Sequence, residues 1–187
     1  MPLDPATFQS DLMAAMDKAY SSSKDLETAK EVKENRSDIF DQLITDCGKA
    51  YKDYLVNMQD LTTDNPQSIS KPPLEEIFSL ILDHKDIEDP NINLASLVQS
   101  GVQSQWSSLF PMAFQTNTPP PDGAKEVTAI GALTTIGSLS PAYNSTSQAD
   151  FVSNVVTALA AGATTITVTI SYVKPDGTAL VTSGLVS

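Results

Sequence analysis

The chain has 187 residues, 41% of them hydrophobic, which is enough for a packed core and too many for general disorder. Its 11 basic and 23 acidic side chains leave a net charge of −12, which repels phosphate backbones and anionic membrane surfaces and excludes nucleic-acid binding as a main activity. With one cysteine, Cys47, and one histidine, His84, it has neither an internal disulfide nor the roughly four Cys/His ligands of a structural zinc site.

Met1 to Pro5 show no basic region leading into an apolar run, so no signal peptide is expected. No stretch approaches the roughly 18–20 apolar residues that span a bilayer. Asp4-Pro5 reads as a helix start, because Asp caps free backbone N–H groups and Pro suits the first helical position. Phe8, Leu12, Met16 and Tyr20 recur at every fourth residue and predict one apolar stripe. Ser21-Ser22-Ser23 predicts a break, and a charged helix follows over 25–34. Ser37 or Asp38 is expected to cap the next helix, where Phe40, Ile44, Cys47, Tyr51, Tyr54, Met58 and Leu61 alternate steps of four and three. That repeat fits the seam of a helical bundle or of an intermolecular coiled coil.

Residues 62–73 read as loop, marked by Asp64-Asn65-Pro66 and Lys71-Pro72-Pro73. A short helix is expected over 74–82, with Ile77, Leu80 and Ile81 inward. The acidic segment 83–89 ends it. A further helix over 94–109 carries Leu97, Val98, Val102, Trp106 and Leu109, and Pro111 stops it. The run Thr-Asn-Thr-Pro-Pro-Pro-Asp-Gly at 116–123 is the clearest punctuation in the chain and favours an extended, semi-rigid segment. A helical domain over 1–115, a Pro-rich linker over 116–123 and a C-terminal domain over 124–187 are therefore expected.

Beyond the linker, 127–139 is compatible with strand or helix. Ser147 or Gln148 starts a helix with Phe151, Val152, Val155, Val156 and Leu159 on one side. Over 164–173, Ile166, Val168, Ile170 and Tyr172 alternate with Thr165, Thr167, Thr169 and Ser171, the pattern of a strand with one apolar and one hydroxylated face. Lys174-Pro175-Asp176-Gly177 is turn chemistry, and 178–186 returns as a second strand. The expected fold class is α+β: an N-terminal helical bundle, then a smaller, low-charge C-terminal α/β part ending in a β-hairpin.

Charge divides the chain as sharply as punctuation does. The first 99 residues hold nine basic and 19 acidic side chains, whereas the last 88 hold two and four. So few charges suit a surface covered by another subunit, or a small β-domain kept in solution by its hydroxyls.

Little in the chain points to chemistry. His84 lies among carboxylates beside a proline, and Cys47 lies on an apolar helical stripe, so neither reads as catalytic. No glycine-rich phosphate loop is present. The acidic residues of 83–89 do not match the spacing of an EF-hand, although their oxygens leave divalent-ion binding open. Asn144-Ser145-Thr146 matches a glycosylation acceptor only coincidentally, given no secretory signal. We therefore expect no enzyme, no catalytic, metal-ligating or cofactor-binding residues, no cofactor and no small-molecule substrate.

Together, the charged helical part, the Pro-Pro-Pro-Asp-Gly break and the Thr/Ala/Gly-rich section ending in Val-Thr-Ser-Gly-Leu-Val-Ser resemble the small virion structural proteins of tailed bacteriophages. The resemblance is one of style across most of the chain. It implies a non-catalytic subunit of a tail, neck, baseplate or capsid-decoration layer, made in the host cytoplasm and located in the virion. Its partners would be other virion subunits, including copies of itself, with no nucleic acid and no membrane. The residues expected to carry such contacts are Ile166, Val168, Ile170, Tyr172, Leu180, Val181 and Leu185, because the last strand offers an edge to a neighbouring sheet. The alternative is a cytoplasmic acidic binding module or assembly adaptor whose helices meet a basic partner.

Overall fold

The computed structural model describes residues 3–24, 29–55, 63–66, 74–83, 93–110, 112–116, 123–132 and 135–185. They form an α+β fold of six helices and five strands, in the order α1 (Pro5–Lys24), α2 (Ala29–Leu55), β1 (Thr63–Pro66), α3 (Leu74–Leu82), α4 (Leu94–Ser107), β2 (Met112–Thr116), β3 (Lys125–Gly131), α5 (Ser140–Tyr143), α6 (Gln148–Thr164), β4 (Thr167–Val173) and β5 (Ala179–Leu185).

Asp4 starts α1 as its position suggests: its carboxylate accepts from the Ala6 N–H at 3.0 Å and from the Thr7 hydroxyl. Phe8, Leu12 and Ala15 are buried, while Tyr20 stays exposed. The serines at 21–23 do not break the helix. Ser23 Oγ donates to the Tyr20 carbonyl at 2.7 Å, so a residue that competes with the backbone elsewhere here supports the last turn. Nor do Ser37 and Asp38 cap a new helix. α2 runs through both, since at exposed positions a weak helix former costs only a few tenths of a kcal/mol. Of its predicted seam, Cys47, Tyr51 and Tyr54 are buried, Phe40 and Ile44 are half-buried, and Met58 and Leu61 lie outside the described residues.

The expected loop at 62–73 is partly a strand: Thr63–Pro66 pairs with β2 as β1. An edge strand tolerates Asp, Pro and a bulge, which is why its turn-like sequence misleads. α3 falls where expected, with Ile77 and Ile81 buried and Leu80 set against Gly101 of α4. In α4, Val98, Val102 and Trp106 point inward, but Leu97 remains half exposed at 52%. Residues 125–131 resolve the strand-or-helix ambiguity as β3, and 135–139 continue without regular structure. Ser147 caps α6, accepting from the Asp150 N–H at 3.1 Å.

The strands form one antiparallel sheet in the order β1-β2-β3-β4-β5. It draws strands from both sides of 116–123, and the buried side chains of the helical and C-terminal parts belong to one continuous core. Tyr51 is central to that core. Its ring stacks on Phe8 at 5.2 Å and on Trp106 at 6.0 Å, and meets Phe78 edge-on at 6.2 Å. Gly162 lets α6 reach the same cluster, because a Cβ there would come within 3.1 Å of Ile136 and 3.3 Å of Trp106. α1 packs on both α2 and α6, which closes the helical layer across the expected boundary. The linker residues 117–122 lie outside the described residues.

Candidate interaction surface

The C-terminal hairpin is built from its turn outward. Gly177 takes φ +84°, a left-handed conformation open to glycine at little steric cost. Its N–H donates to the Lys174 carbonyl at 2.9 Å, and Lys174 N–H donates to the Thr178 carbonyl at 2.9 Å. The Asp176 carboxylate accepts from the Thr178 N–H at 2.8 Å, and these contacts with Thr178 hold its carboxyl below the ordinary value. From that turn β4 and β5 pair without a register shift, Val173 opposite Ala179 through to Thr167 opposite Leu185.

Side chains of directly opposed residues share one face of a sheet. Val168, Ile170 and Tyr172 of β4 face the core, and Thr167, Thr169, Ser171 and Val173 face outward. Ala179, Val181 and Ser183 of β5 lie beside that outward row, where the Thr169 and Ser183 hydroxyls meet at 3.2 Å. Ile130 of β3, opposite Thr169, extends the face on its other side. Ile130, Val173 and Val181 are 39%, 39% and 63% exposed, and neither β4 nor β5 contains a charged residue.

The two ends of the sheet differ. β1 carries Asp64, Pro66 and a register shift between them, all features that discourage a further strand. β5 carries no charge, no proline and no shift, and its outer edge has no neighbouring strand among the described residues.

Of the residues expected to make contacts, Ile166, Val168, Ile170 and Tyr172 are no more than 2% exposed. The chain's own core covers them, because the apolar half of an alternating strand is the half a fold buries first. Leu180 is half-buried against the same core, and Val181 lies on the open face. Leu185 ends β5 opposite Thr167, its side chain lying outside the description. Among the described residues of β4 and β5, the hydroxylated face and the β5 edge are what remain exposed. The alternation of Thr and Ser over 165–171 was the signal for that face in the sequence.

Elsewhere, a groove of about 340 Å³ lies between α1 and α2, lined by Ala15, Ala19, Ile39 and Leu43 and bordered by Lys18 and Asp46. Lys18 Nζ bonds Asp46 at 2.6 Å and Gln42 Nε2 donates to the same carboxylate at 2.8 Å, contacts that hold the Asp46 carboxyl below its ordinary value. Burial raises the Cys47 thiol to about 12. Among the described residues, no three His, Cys, Asp or Glu side chains converge to hold a metal ion. His84 and most of the acidic segment 83–89 lie outside them. No described helix is long and apolar enough to cross a membrane. The chain matches no family model, no curated protein and no solved structure.

Proposed function

We propose that the chain is a non-catalytic structural subunit of a tailed-phage virion, in its tail, neck, baseplate or capsid-decoration layer, acting by packing against other subunits. The observation that carries this reading is the edge of β5, which has no neighbouring strand among the described residues, beside an outward face of β4 and β5 that holds no charged residue. Proteins that stay monomeric blunt such edges with charge, proline or bulges, as β1 does here. β4 and β5 contain no charged residue, and depletion of charge is one mark of the core of a surface that another subunit covers.

The test is solution mass by size-exclusion chromatography with light scattering, over a wide concentration range. A discrete oligomer, or growth with concentration, supports the reading. A second reading, an acidic binding module or assembly adaptor, draws on the groove between α1 and α2 with Asp38 and Asp46 at its border. It predicts a monomer that binds a basic partner with an affinity falling as salt is raised.

A further inference from the structure

We propose that the partner of the β5 edge is a second copy of this chain, paired antiparallel across a two-fold axis at Thr182, so that two five-stranded sheets join into one of ten strands. The inference rests on the reading of the chain as a packing subunit and names its first contact.

Three observations lead to it. The sheet has two edges, and among the described residues only that of β5 has neither a neighbouring strand nor features that discourage one. Head-to-tail growth would lay β5 of one copy on β1 of the next, where Asp64, Pro66 and the register shift oppose pairing. Only β5 on β5 remains, and that arrangement closes on itself after two copies.

Charge decides between a foreign strand and a second copy. A foreign strand that adds to an edge is selected by charges or side-chain pockets beside it. β4 and β5 supply no charge to select one. A second copy needs no such selection and would ordinarily be repelled by the net charge of −12. That charge is concentrated in the first 99 residues, which hold 19 acidic and nine basic side chains, so the β5 edge is an approach that presents no like charge from either strand.

Pairing length sets the register. With the axis at Thr182, all of Ala179–Leu185 finds a partner residue, Val181 opposite Ser183 of the second copy and Ser183 opposite its Val181. Moving the axis by one residue loses two of those pairs. The face that carries Thr169, Ser171, Val181 and Ser183 then runs unbroken across both copies.

The experiment uses single cysteines on that face, Val181→Cys and Ser183→Cys, in the full chain. Native Cys47 is fully buried, with its thiol raised to about 12, and does not compete. Opposed residues bring their Cα atoms to about 4.5–5.5 Å, inside the disulfide range, whereas the diagonal mates of each single variant lie about 7–8 Å apart, outside it. Mild oxidation of the mixed variants is expected to give a disulfide-linked heterodimer at about fivefold or more the yield of either alone, read by intact mass. Val181→Lys, at a position 63% exposed, is expected to halve the solution mass of the wild-type dimer without changing its circular dichroism. Self-linking of each variant as efficient as the mixture overturns the antiparallel pairing. An oligomer that neither cross-links nor responds to Val181→Lys overturns the inference while leaving the packing reading intact. A wild-type monomer at every concentration also overturns the self-pairing, but a subunit that assembles only on a preformed neighbour would still satisfy the reading beneath it.

Discussion

Two glutamines one helical turn apart hold the irregular segment at 135–139, and Gln99→Ala tests how much they contribute. Gln99 Oε1 accepts from the Leu139 N–H at 2.8 Å, and its Nε2 donates to the Gly137 carbonyl at 3.1 Å. Gln103 Oε1 accepts from the Ile136 N–H at 2.9 Å, and Gly137 N–H donates to the Ala158 carbonyl at 2.8 Å. These bonds give a segment outside the helices and strands the backbone satisfaction it needs where it is partly buried. Gln99→Ala strips one N–H and one C=O at once. An unsatisfied buried group costs about 1–3 kcal/mol, and partial exposure keeps each near the low end, so a loss of about 2 kcal/mol is expected. For a chain of this size that lowers Tm by about 4–8 °C. Gln99→Glu retains the acceptor for Leu139 but turns a carboxylate towards the Gly137 carbonyl. Its folded-state pKa should rise, so its stability should match wild type most closely below about pH 4.3 and fall away as pH rises through the raised value. Urea unfolding followed by far-ultraviolet circular dichroism measures both variants. Gln99→Ala within about 0.5 kcal/mol of wild type, or Gln99→Glu fully stable at pH 7, would refute the reasoning.

Other substitutions should separate by sign. Among the described residues the buried hydroxyls of Tyr51 and Tyr54 have no hydrogen-bond partner, so Tyr51→Phe should be neutral or stabilising by up to about 1 kcal/mol in the same unfolding assay; a clear loss would mean that the hydroxyl is satisfied. Tyr143 Oη instead donates to the Ile81 carbonyl at 3.0 Å, and Tyr143→Phe should cost about 1–2 kcal/mol, a value that a thermal melt will detect. Asp46→Asn should cost less than about 1 kcal/mol at pH 7, because Lys18 is largely exposed. The Asp46 carboxyl is depressed in the folded state, so that contribution is complete above its ordinary value of 3.8 and disappears as pH falls through the lower folded one; a difference between the proteins that persisted well below that range would contradict the ion pair. Cys47 should react with a thiol reagent at pH 8 only as fast as the chain unfolds, and rapid labelling of the native protein would show the packing around it to be open.

Local signals in this sequence were legible where the physics is local. Asp4 and Ser147 bond the N–H groups that their positions assign to them, and Lys174–Gly177 turns as its residues require. The Ile/Val/Tyr alternation of β4 showed a strand with one apolar and one hydroxylated face, but its apolar residues were expected to meet a partner and are instead buried in the chain's own core. The pairing of β1 was hidden, because its partner β2 lies far along the chain and its own residues spell a turn. Gln99 and Gln103 were equally silent. Glutamines at this spacing read as solvent-facing helix surface, and only the distant 135–139 segment reveals what they bond. The candidate surface was half legible for a related reason. Alternation shows that a strand has two unlike faces, but burial by the rest of the chain decides which of them stays exposed.

The change in composition along the chain follows surface rather than core. Phe8, Tyr51 and Trp106 continue through Ile136 and α6 without interruption, so low charge beyond residue 99 does not mark a core of a different kind. Within that part, β4 and β5 present Thr, Ser and Val outward. The split is not one of helix against sheet: β3 carries Lys125 and Glu126, and α4, α5 and α6 together hold only Asp150. Under the proposed pairing of β5 edges, direction of contact would come from the backbone and no strongly apolar patch would be needed. The acidic first 99 residues would then add discrimination by opposing orientations that bring them together.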